Sequence, residues 1–231
     1  MKILFFILAS LLSFSIHATS FDETNFKKEI ITEIVDSYRP QIIARYGYDV
    51  NLTFSEIEAF NMFGGHDRSG ALVIKVFKKA LTNFSSLAIV STTCHELGHI
   101  LGEVTTERAG STQYNPLDSV EGEADYFSGS CARKYFDKNI INPNYEKSPY
   151  CSSSDQGCHQ AIHGSRDMFR AFTISYGFPE PNEADAAEKY YDDGYGINPS
   201  YPDPNCRILS MISGVLNHIR PSCWYNPYDR N

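Results

Sequence analysis

Six cysteines constrain the fold of this chain of 231 residues more than any other feature, because they all follow an N-terminal segment typical of exported proteins. An even number of cysteines in an exported chain indicates disulfide bonds. Six cysteines allow many pairings, but short separations favour Cys151–Cys158 and Cys206–Cys223, which leaves Cys94–Cys131. A zinc site built from cysteines is disfavoured, because the sequence has no C-x-x-C spacing.

The first twenty residues have the layout of a secretory signal peptide. Lys2 precedes an apolar run over residues 3–14, and small residues then lead to Ala18 and Ser20 as possible cleavage sites. The run is too short for a membrane-spanning helix, and an uncleaved N-terminal anchor is the alternative. No later segment is apolar enough to cross a membrane. We therefore expect a signal peptide over residues 1–20 and a mature protein located in a periplasm or outside the cell.

Composition and charge exclude several classes of protein. The 42% of hydrophobic and 21% of charged residues are ordinary for a globular chain, which excludes collagen-like, coiled-coil and wholly disordered proteins. The formal net charge of −8 leaves little basic surface for a phosphate backbone. Nucleic acid is therefore not an expected partner.

Hydrophobic periodicity predicts an α+β fold, mainly helical with a small β-sheet. An apolar stripe predicts a helix over residues 24–46, which Pro40 ends or kinks. Strands are predicted at 49–55 and 71–77, with a glycine-rich turn at 63–70 between them. The second strand is either an edge strand, to which an extended peptide could add, or a fully paired one. The other predicted helices are Ser85 or Ser86 to Gly102, Asn115 to Phe136, 160–176, 206–218 and a short one at 183–191.

The most informative pattern is the HELGH motif at residues 95–99, inside a predicted helix. Its two histidines are four residues apart, which places them about 40° apart around the helix axis. Their imidazoles can therefore converge on one ion, while the apolar stripe through Leu97 and Leu101 packs elsewhere. Glu96 lies beside them and in such motifs accepts a proton from water instead of binding the metal. The alternative is a surface helix that carries two histidines and an acid.

A catalytic zinc site requires a third protein ligand. Thr105 stands where one class of zinc peptidases has a third histidine, and threonine is a poor zinc ligand. The next predicted helix offers Glu121 and Asp125 on one face, whereas Glu123 points about 200° away from Glu121. Glu121 can then bind the metal while Asp125 bonds the second ring nitrogen of a ligand histidine. The alternative is two acids that merely favour a helix N-terminus.

HELGH at 95–99 followed by E-x-x-A-D at 121–125 resembles the gluzincin zinc metallopeptidases. The closest pattern is that of the HtpX and CaaX-prenyl-protease branch, and thermolysin shares the wider glutamate–aspartate spacing. HtpX-type enzymes are embedded in membranes, so their substrates are not carried over to this chain. The segments TTCHELGH, EGEADYF and NCR…RPSCW also resemble those of small exported bacterial proteins.

The resemblance implies a zincin-like domain over residues 21–231, in which two central helices carry the ligands of one Zn²⁺ ion per chain. Its metal-binding core covers about 71–136, and a helical, loop-rich part follows over 138–231. By this resemblance His95, His99 and Glu121 are the metal ligands and Glu96 is the general base. Asp125 orients a ligand histidine.

The expected activity is that of an exported zinc-dependent metalloendopeptidase with a peptide or protein substrate. Two alternatives remain: a non-catalytic, zinc-stabilised binding or envelope protein, and a zinc amidase that acts on cell-wall peptide crosslinks. The loop at 192–203 is a weak calcium candidate, because it lacks the EF-hand pattern. A second metal at His159 and His163, which repeat the four-residue spacing, is disfavoured because no acid follows His159. During peptide hydrolysis a negative charge develops on the oxygen of the attacked carbonyl, and this oxyanion requires a hydrogen-bond donor besides zinc. The candidate donors are His163, Tyr126, Arg207 and His66.

Overall fold

The computed structural model describes residues 22–103, 118–177, 179–183, 202–221 and 223–224. Within these ranges the chain forms six helices and one three-stranded sheet, which confirms the α+β, mainly helical class. In chain order the elements are α1 (Glu23–Tyr46), β1 (Asn51–Ser55), β2 (Met62–His66), β3 (Leu72–Phe77), α2 (Lys78–Asn83), α3 (Ser86–Leu101), α4 (Glu121–Phe136), α5 (Gln156–Tyr176) and α6 (Pro204–Leu216).

Three predictions fall wholly or mostly outside the described residues. These are the signal peptide at 1–20, the short helix at 183–191 beyond its first residue, and the calcium loop at 192–203 up to its last two residues. In the part of the chain that is described, no helix has the length and apolar character needed to cross a bilayer.

Helix α3 forms the centre of the molecule. Ser85 caps its N-terminus by accepting a hydrogen bond from the backbone N–H of Ala88. The helix is buried continuously from Leu87 to Gly98 and packs against α1, α4, α5 and β2. A helix that is apolar on nearly all sides belongs inside a domain. The histidine motif therefore lies at the core, and only its ligand-bearing face borders a cleft.

The sheet corrects two predictions. Strand β3 is central, because it pairs in parallel with β1 and antiparallel with β2, so the edge-strand prediction for residues 71–77 is wrong and the fully paired alternative is right. The turn predicted at 63–70 is also wrong over its first half, which belongs to β2. The reason is packing: a Cβ atom on Gly64 would lie 2.3 Å from the backbone oxygen of Glu96, so only glycine lets this strand rest on α3.

Several helix boundaries also differ from their predictions. Helix α1 does not end at Pro40, because buried residues on both sides of it, Tyr38 and Ile42, hold the helix in the core. Helix α4 begins at Glu121, later than predicted, because residues 118–120 are non-helical and contact α3 and β2. Helix α2 was not predicted, and α5 begins four residues early behind the capping side chain of Asp155.

The three disulfides pair as short separation favoured. Cys151–Cys158 closes the loop before α5, and Cys206–Cys223 joins the start of α6 to a residue near the C-terminus. Cys94–Cys131 joins α3 to α4. This last bond clamps the two helices together one residue before the first histidine of the motif.

Candidate metal centre

A close approach of α3 to α4 builds the site. A Cβ atom on Gly98 would lie 2.6 Å from the Cα atom of Ala124, so the glycine of the HELGH motif allows the two backbones to touch. The Cys94–Cys131 disulfide holds the same pair of helices. As a result, the first residue of α4, Glu121, reaches the histidine face of α3.

The structure brings His95, His99 and Glu121 into one cluster, in which one ligand atom from each lies within 4.8 Å of the others. The two histidine Nε2 atoms are 3.1 Å apart, and the Glu121 carboxylate lies 3.3 Å from His95 Nε2 and 3.8 Å from His99 Nε2. Donor atoms at about 2.0–2.1 Å from a tetrahedral metal ion lie about 3.3 Å apart. The observed separations fit such a set, and the cluster could hold a metal ion.

Contacts made by the Nδ1 atoms direct both Nε2 atoms towards the cluster centre. His99 Nδ1 donates to the backbone oxygen of Ser119 at 2.9 Å, which leaves the lone pair on Nε2. His95 Nδ1 lies 2.9 Å from a carboxylate oxygen of Asp125, although its N–H points away from the straight line to that oxygen. Two nitrogen lone pairs only 3.1 Å apart repel each other unless a cation or a proton lies between them. The arrangement therefore requires either a proton or a bound cation between the two rings.

A buried arginine holds the two acids of the site. Arg207, on α6, donates from Nε and Nη2 to the two carboxylate oxygens of Asp125 at 2.7 and 3.0 Å. Its Nη2 also donates to Glu121 at 2.9 Å, and the guanidinium lies over the ring of Phe169. Asp125 is 0% exposed and Arg207 is 6% exposed, so water screens this network poorly. The arginine thus adds a positive charge beside two buried acids whose other charged neighbour is His95.

The same network sets the ionisation of the metal-free site. Burial lowers the pKa of His95, but Asp125 and Glu121 outweigh burial and raise the pKa to about 10. Burial raises the pKa of Glu121, but Arg207, His99 and His95 together bring that pKa well below its ordinary value. Without metal, His95 therefore carries a proton beside an ionised Glu121, and a metal ion would have to displace that proton in order to bind.

Glu96 lies beside the cluster and lines the same cleft. It is 7% exposed, and the backbone N–H of Gly64 in β2 favours its ionised form. Burial raises the pKa of Glu96 above the usual value, while the neighbouring His95 and His99 partly oppose that rise. A buried carboxylate with a raised pKa is a better proton acceptor than an exposed one.

The cluster opens into a cleft of about 730 Å³. Strand β2 lies on the border of the cleft, and α5 presents three of the four phenylalanine and tyrosine residues that line it. The apolar residues that line the cleft are Met62, Phe63, Phe169, Phe172, Tyr176, Pro179, Pro202 and Pro204.

The four candidate oxyanion donors are not brought together. Arg207 lines the cleft, but its guanidinium binds the acids of the site. Among the described residues that line the cleft, His66, His163 and Tyr126 are absent. His66 contacts Asp118, His163 accepts from a backbone N–H of the loop before α5, and Tyr126 donates to the backbone oxygen of His218.

Sequence reasoning missed three residues that shape the site: Gly64, Asp118 and Ser119. Gly64 contributes a backbone N–H and Ser119 a backbone oxygen, and every residue type except proline carries both groups. No pattern of side chains could indicate them. Asp118 was detectable only as an acid near the start of α4.

No protein-family model, curated protein or solved structure matches this chain. The geometry of the site is therefore the basis for inferring the function.

Proposed function

We propose that this protein is an exported zinc-dependent metalloendopeptidase. The observation that carries the proposal is the position of Glu96, a buried carboxylate with a raised pKa beside three converging ligand side chains. A site that only stabilises the fold has no use for such a base, and structural zinc sites usually employ four protein ligands. Three ligands next to an open cleft are typical of catalytic sites.

The donor set supports zinc as the metal. Two imidazole nitrogens and one carboxylate oxygen, from His95, His99 and Glu121, match the three protein ligands of catalytic zinc sites. Asp125 would orient His95, and the backbone oxygen of Ser119 would orient His99, as outer partners of zinc-bound histidines do. When bound, a zinc ion polarises the scissile carbonyl and lowers the pKa of a water molecule to about 7.

Glu96 would carry the proton in peptide hydrolysis. The oxygen of water adds to the carbonyl carbon while the Glu96 carboxylate accepts a proton from that water. The C–N bond then breaks, and Glu96 passes the proton to the departing amine nitrogen. The products are a carboxylic acid and an amine, and Glu96 returns to its ionised form. The Gly64 N–H favours the ionised carboxylate, the form that accepts the proton.

The cleft supports an extended peptide as substrate. Strand β2 borders the cleft and pairs with β3 on one side, and no strand in the described ranges pairs with its other side. A peptide lying along that side would reach Glu96, although the N–H groups of Met62 and His66 there already donate to Asn61 and Asp118. Export is supported by the signal-peptide pattern of residues 1–20 and by three disulfides, which persist in oxidising compartments.

The decisive experiment compares wild type with Glu96→Gln, using Glu29→Gln on the exposed face of α1 as the control for the same loss of charge. Each protein is purified, loaded with zinc, tested for zinc content, and incubated with an unbiased peptide library that is read by mass spectrometry. We expect equal zinc content in all three. Cleavage by Glu96→Gln should fall about 100- to 10,000-fold, the usual contribution of a general base.

The outcomes separate the alternatives. Unchanged cleavage by Glu96→Gln would show that the proposed mechanism is wrong. Zinc binding by wild type without any cleavage would favour the non-catalytic binding or envelope protein. Release of amines from cell-wall peptide crosslinks, with the library left intact, would favour the amidase.

A further inference from the structure

His66, at the end of β2, makes a short contact with a residue that belongs to neither metal-binding helix. Its Nδ1 lies 2.6 Å from one carboxylate oxygen of Asp118, and its backbone N–H donates to the other at 3.2 Å. The side chains of both residues are largely buried. One residue thus engages both oxygens of one carboxylate, which fixes the position and the orientation of Asp118.

The backbone leaves no room for this carboxylate to shift towards β2. Gly65 has a φ of +140°, a conformation that side-chain-bearing residues rarely adopt. A Cβ atom at that position would lie 2.8 Å from a carboxylate oxygen of Asp118. In β2, Gly65 therefore provides the space that the Asp118 carboxylate occupies, and His66 binds that carboxylate.

Asp118 leads directly into the metal cluster along the chain. The next residue, Ser119, accepts the hydrogen bond from His99 Nδ1 through its backbone oxygen, and its own backbone N–H donates to the backbone oxygen of His99 at 2.8 Å. Two residues later, Glu121 begins α4 and belongs to the cluster. Helix α4 has no side-chain cap at Val120, so the entry of the helix depends on contacts made by residues 118–119.

Strand β2 also reaches the base. The Gly64 N–H contacts the Glu96 carboxylate two residues before His66 in the same strand. Strand β2 therefore makes two contacts with the site. Gly64 contacts the base, and His66 contacts the segment that orients His99.

We propose that His66 is a positioning residue for the metal centre. By binding both carboxylate oxygens of Asp118, it holds Ser119 against His99 and fixes the start of α4, where Glu121 lies. We name the contacts between His66 and Asp118 the His66 clasp. The inference rests on the metal centre of the proposed function but not on any peptidase activity. It also accounts for a buried histidine that does not line the cleft.

The test measures metal affinity by titrating each metal-free protein with Co²⁺, followed by visible absorption, and with Zn²⁺ in competition with a chelator. His66→Ala removes the side-chain half of the clasp. His66→Asn keeps a donor near the Nδ1 position, and Tyr48→Phe removes the other contact of the imidazole, from the Tyr48 hydroxyl to Nε2 at 3.2 Å. Thermal unfolding of each metal-free variant is recorded alongside.

We expect His66→Ala to weaken metal binding about 10-fold, the lower end of the usual effect of removing an outer partner of a metal ligand, because His66 acts on His99 through Asp118 and Ser119. His66→Asn should recover most of that loss, and Tyr48→Phe should remain within about threefold of wild type, because its contact leads away from Asp118. The single variant Asp118→Ala and the double variant His66→Ala/Asp118→Ala complete the set. The double variant should bind metal no more weakly than the poorer of the two single variants, because His66 and Asp118 act through one contact.

Wild-type metal affinity in His66→Ala would overturn the proposal. So would a His66→Asn variant as weak as His66→Ala, because the histidine would then contribute only to packing. Additive losses in the double variant would show that the two residues act separately. None of these results depends on peptide cleavage, so failure of the clasp is distinguishable from failure of the peptidase.

Discussion

Two pairs of histidines in this protein have the same four-residue spacing, but the hydrogen-bond partners of their ring nitrogens differ. His95 and His99 on α3 use Nδ1 towards oxygen atoms, of Asp125 and Ser119 respectively, so their Nε2 atoms meet 3.1 Å apart. His159 and His163 on α5 use Nδ1 in the opposite sense: each accepts a backbone N–H from the loop before that helix, at 3.0 and 3.1 Å.

The difference lies in which ring nitrogen retains a lone pair. An imidazole whose Nδ1 accepts a hydrogen bond carries its proton on Nε2 when neutral, and that nitrogen cannot bind a metal. An imidazole whose Nδ1 donates presents a free lone pair on Nε2. Four-residue spacing therefore creates the opportunity for a metal site, and the partners of Nδ1 decide whether the pair binds a metal or holds a loop.

The largest expected effect is on the free energy of unfolding, when the arginine that contacts the acid beside each histidine pair is replaced. Arg207→Met would leave Asp125 buried without its partner, so the free energy of unfolding should fall by about 3–5 kcal/mol. Arg170→Met removes the half-exposed cation beside Asp167, the acid next to His163, and should cost no more than about 1 kcal/mol. Urea unfolding in the presence of EDTA measures both. Equal losses would show that the buried network does not hold the site.

The next effect separates the pairs as metal ligands. His99→Ala should weaken zinc binding by more than about 100-fold, beyond the effect of losing an outer partner. His163→Ala should bind zinc as wild type does, because the nitrogen that faces the loop backbone there is already engaged. Competition with a chelator measures both affinities. A weaker affinity in His163→Ala would remove the distinction between the pairs.

A smaller effect tests the acids that accompany each pair. Asp125→Asn should lower zinc affinity about 10- to 100-fold, since this acid faces Nδ1 of a cluster histidine. Asp167→Asn should leave zinc affinity unchanged, although its carboxylate lies 3.5 Å from His163 Nε2. Zinc titration of the two variants provides the comparison, and equal affinities would contradict it.

The smallest effect concerns the loop that the second pair holds. His163→Ala removes the acceptor for the backbone N–H of Glu146 and should reduce the free energy of unfolding by about 0.5–1.5 kcal/mol. Amide hydrogen exchange should rise at Glu146, next to the variant site, and remain unchanged in α3. Faster exchange in α3 would mean that the two pairs are coupled.

Much of the fold followed from local patterns. The apolar stripe of α1, the capping serine of α3 and the strand at 72–77 were predicted close to their observed bounds. Histidines on one helix and an acid on the next also predicted the residues that meet in the cluster. These features are local, because helical and strand periodicities place side chains on faces without knowledge of the rest of the chain.

The failures at β2 and at Arg207 share one cause, which is contact between distant segments. Gly64 and Gly65 indicated a turn, but they lie in a strand because α3 and Asp118 approach their backbones closely. Arg207 was a candidate oxyanion donor, but it binds acids 82 and 86 residues away in sequence. Neither contact has a signature in the residues around these positions.

Residue spacing was sufficient to predict which side chains meet in the cluster, because a histidine pair on one helix turn is a property of that helix. Tertiary packing alone decided which nitrogen of each histidine is available, which strand borders the cleft and which cation compensates the buried acids. Those outcomes depend on hydrogen-bond partners from other segments of the chain, and the free energy of a buried polar group is set by the partner it finds.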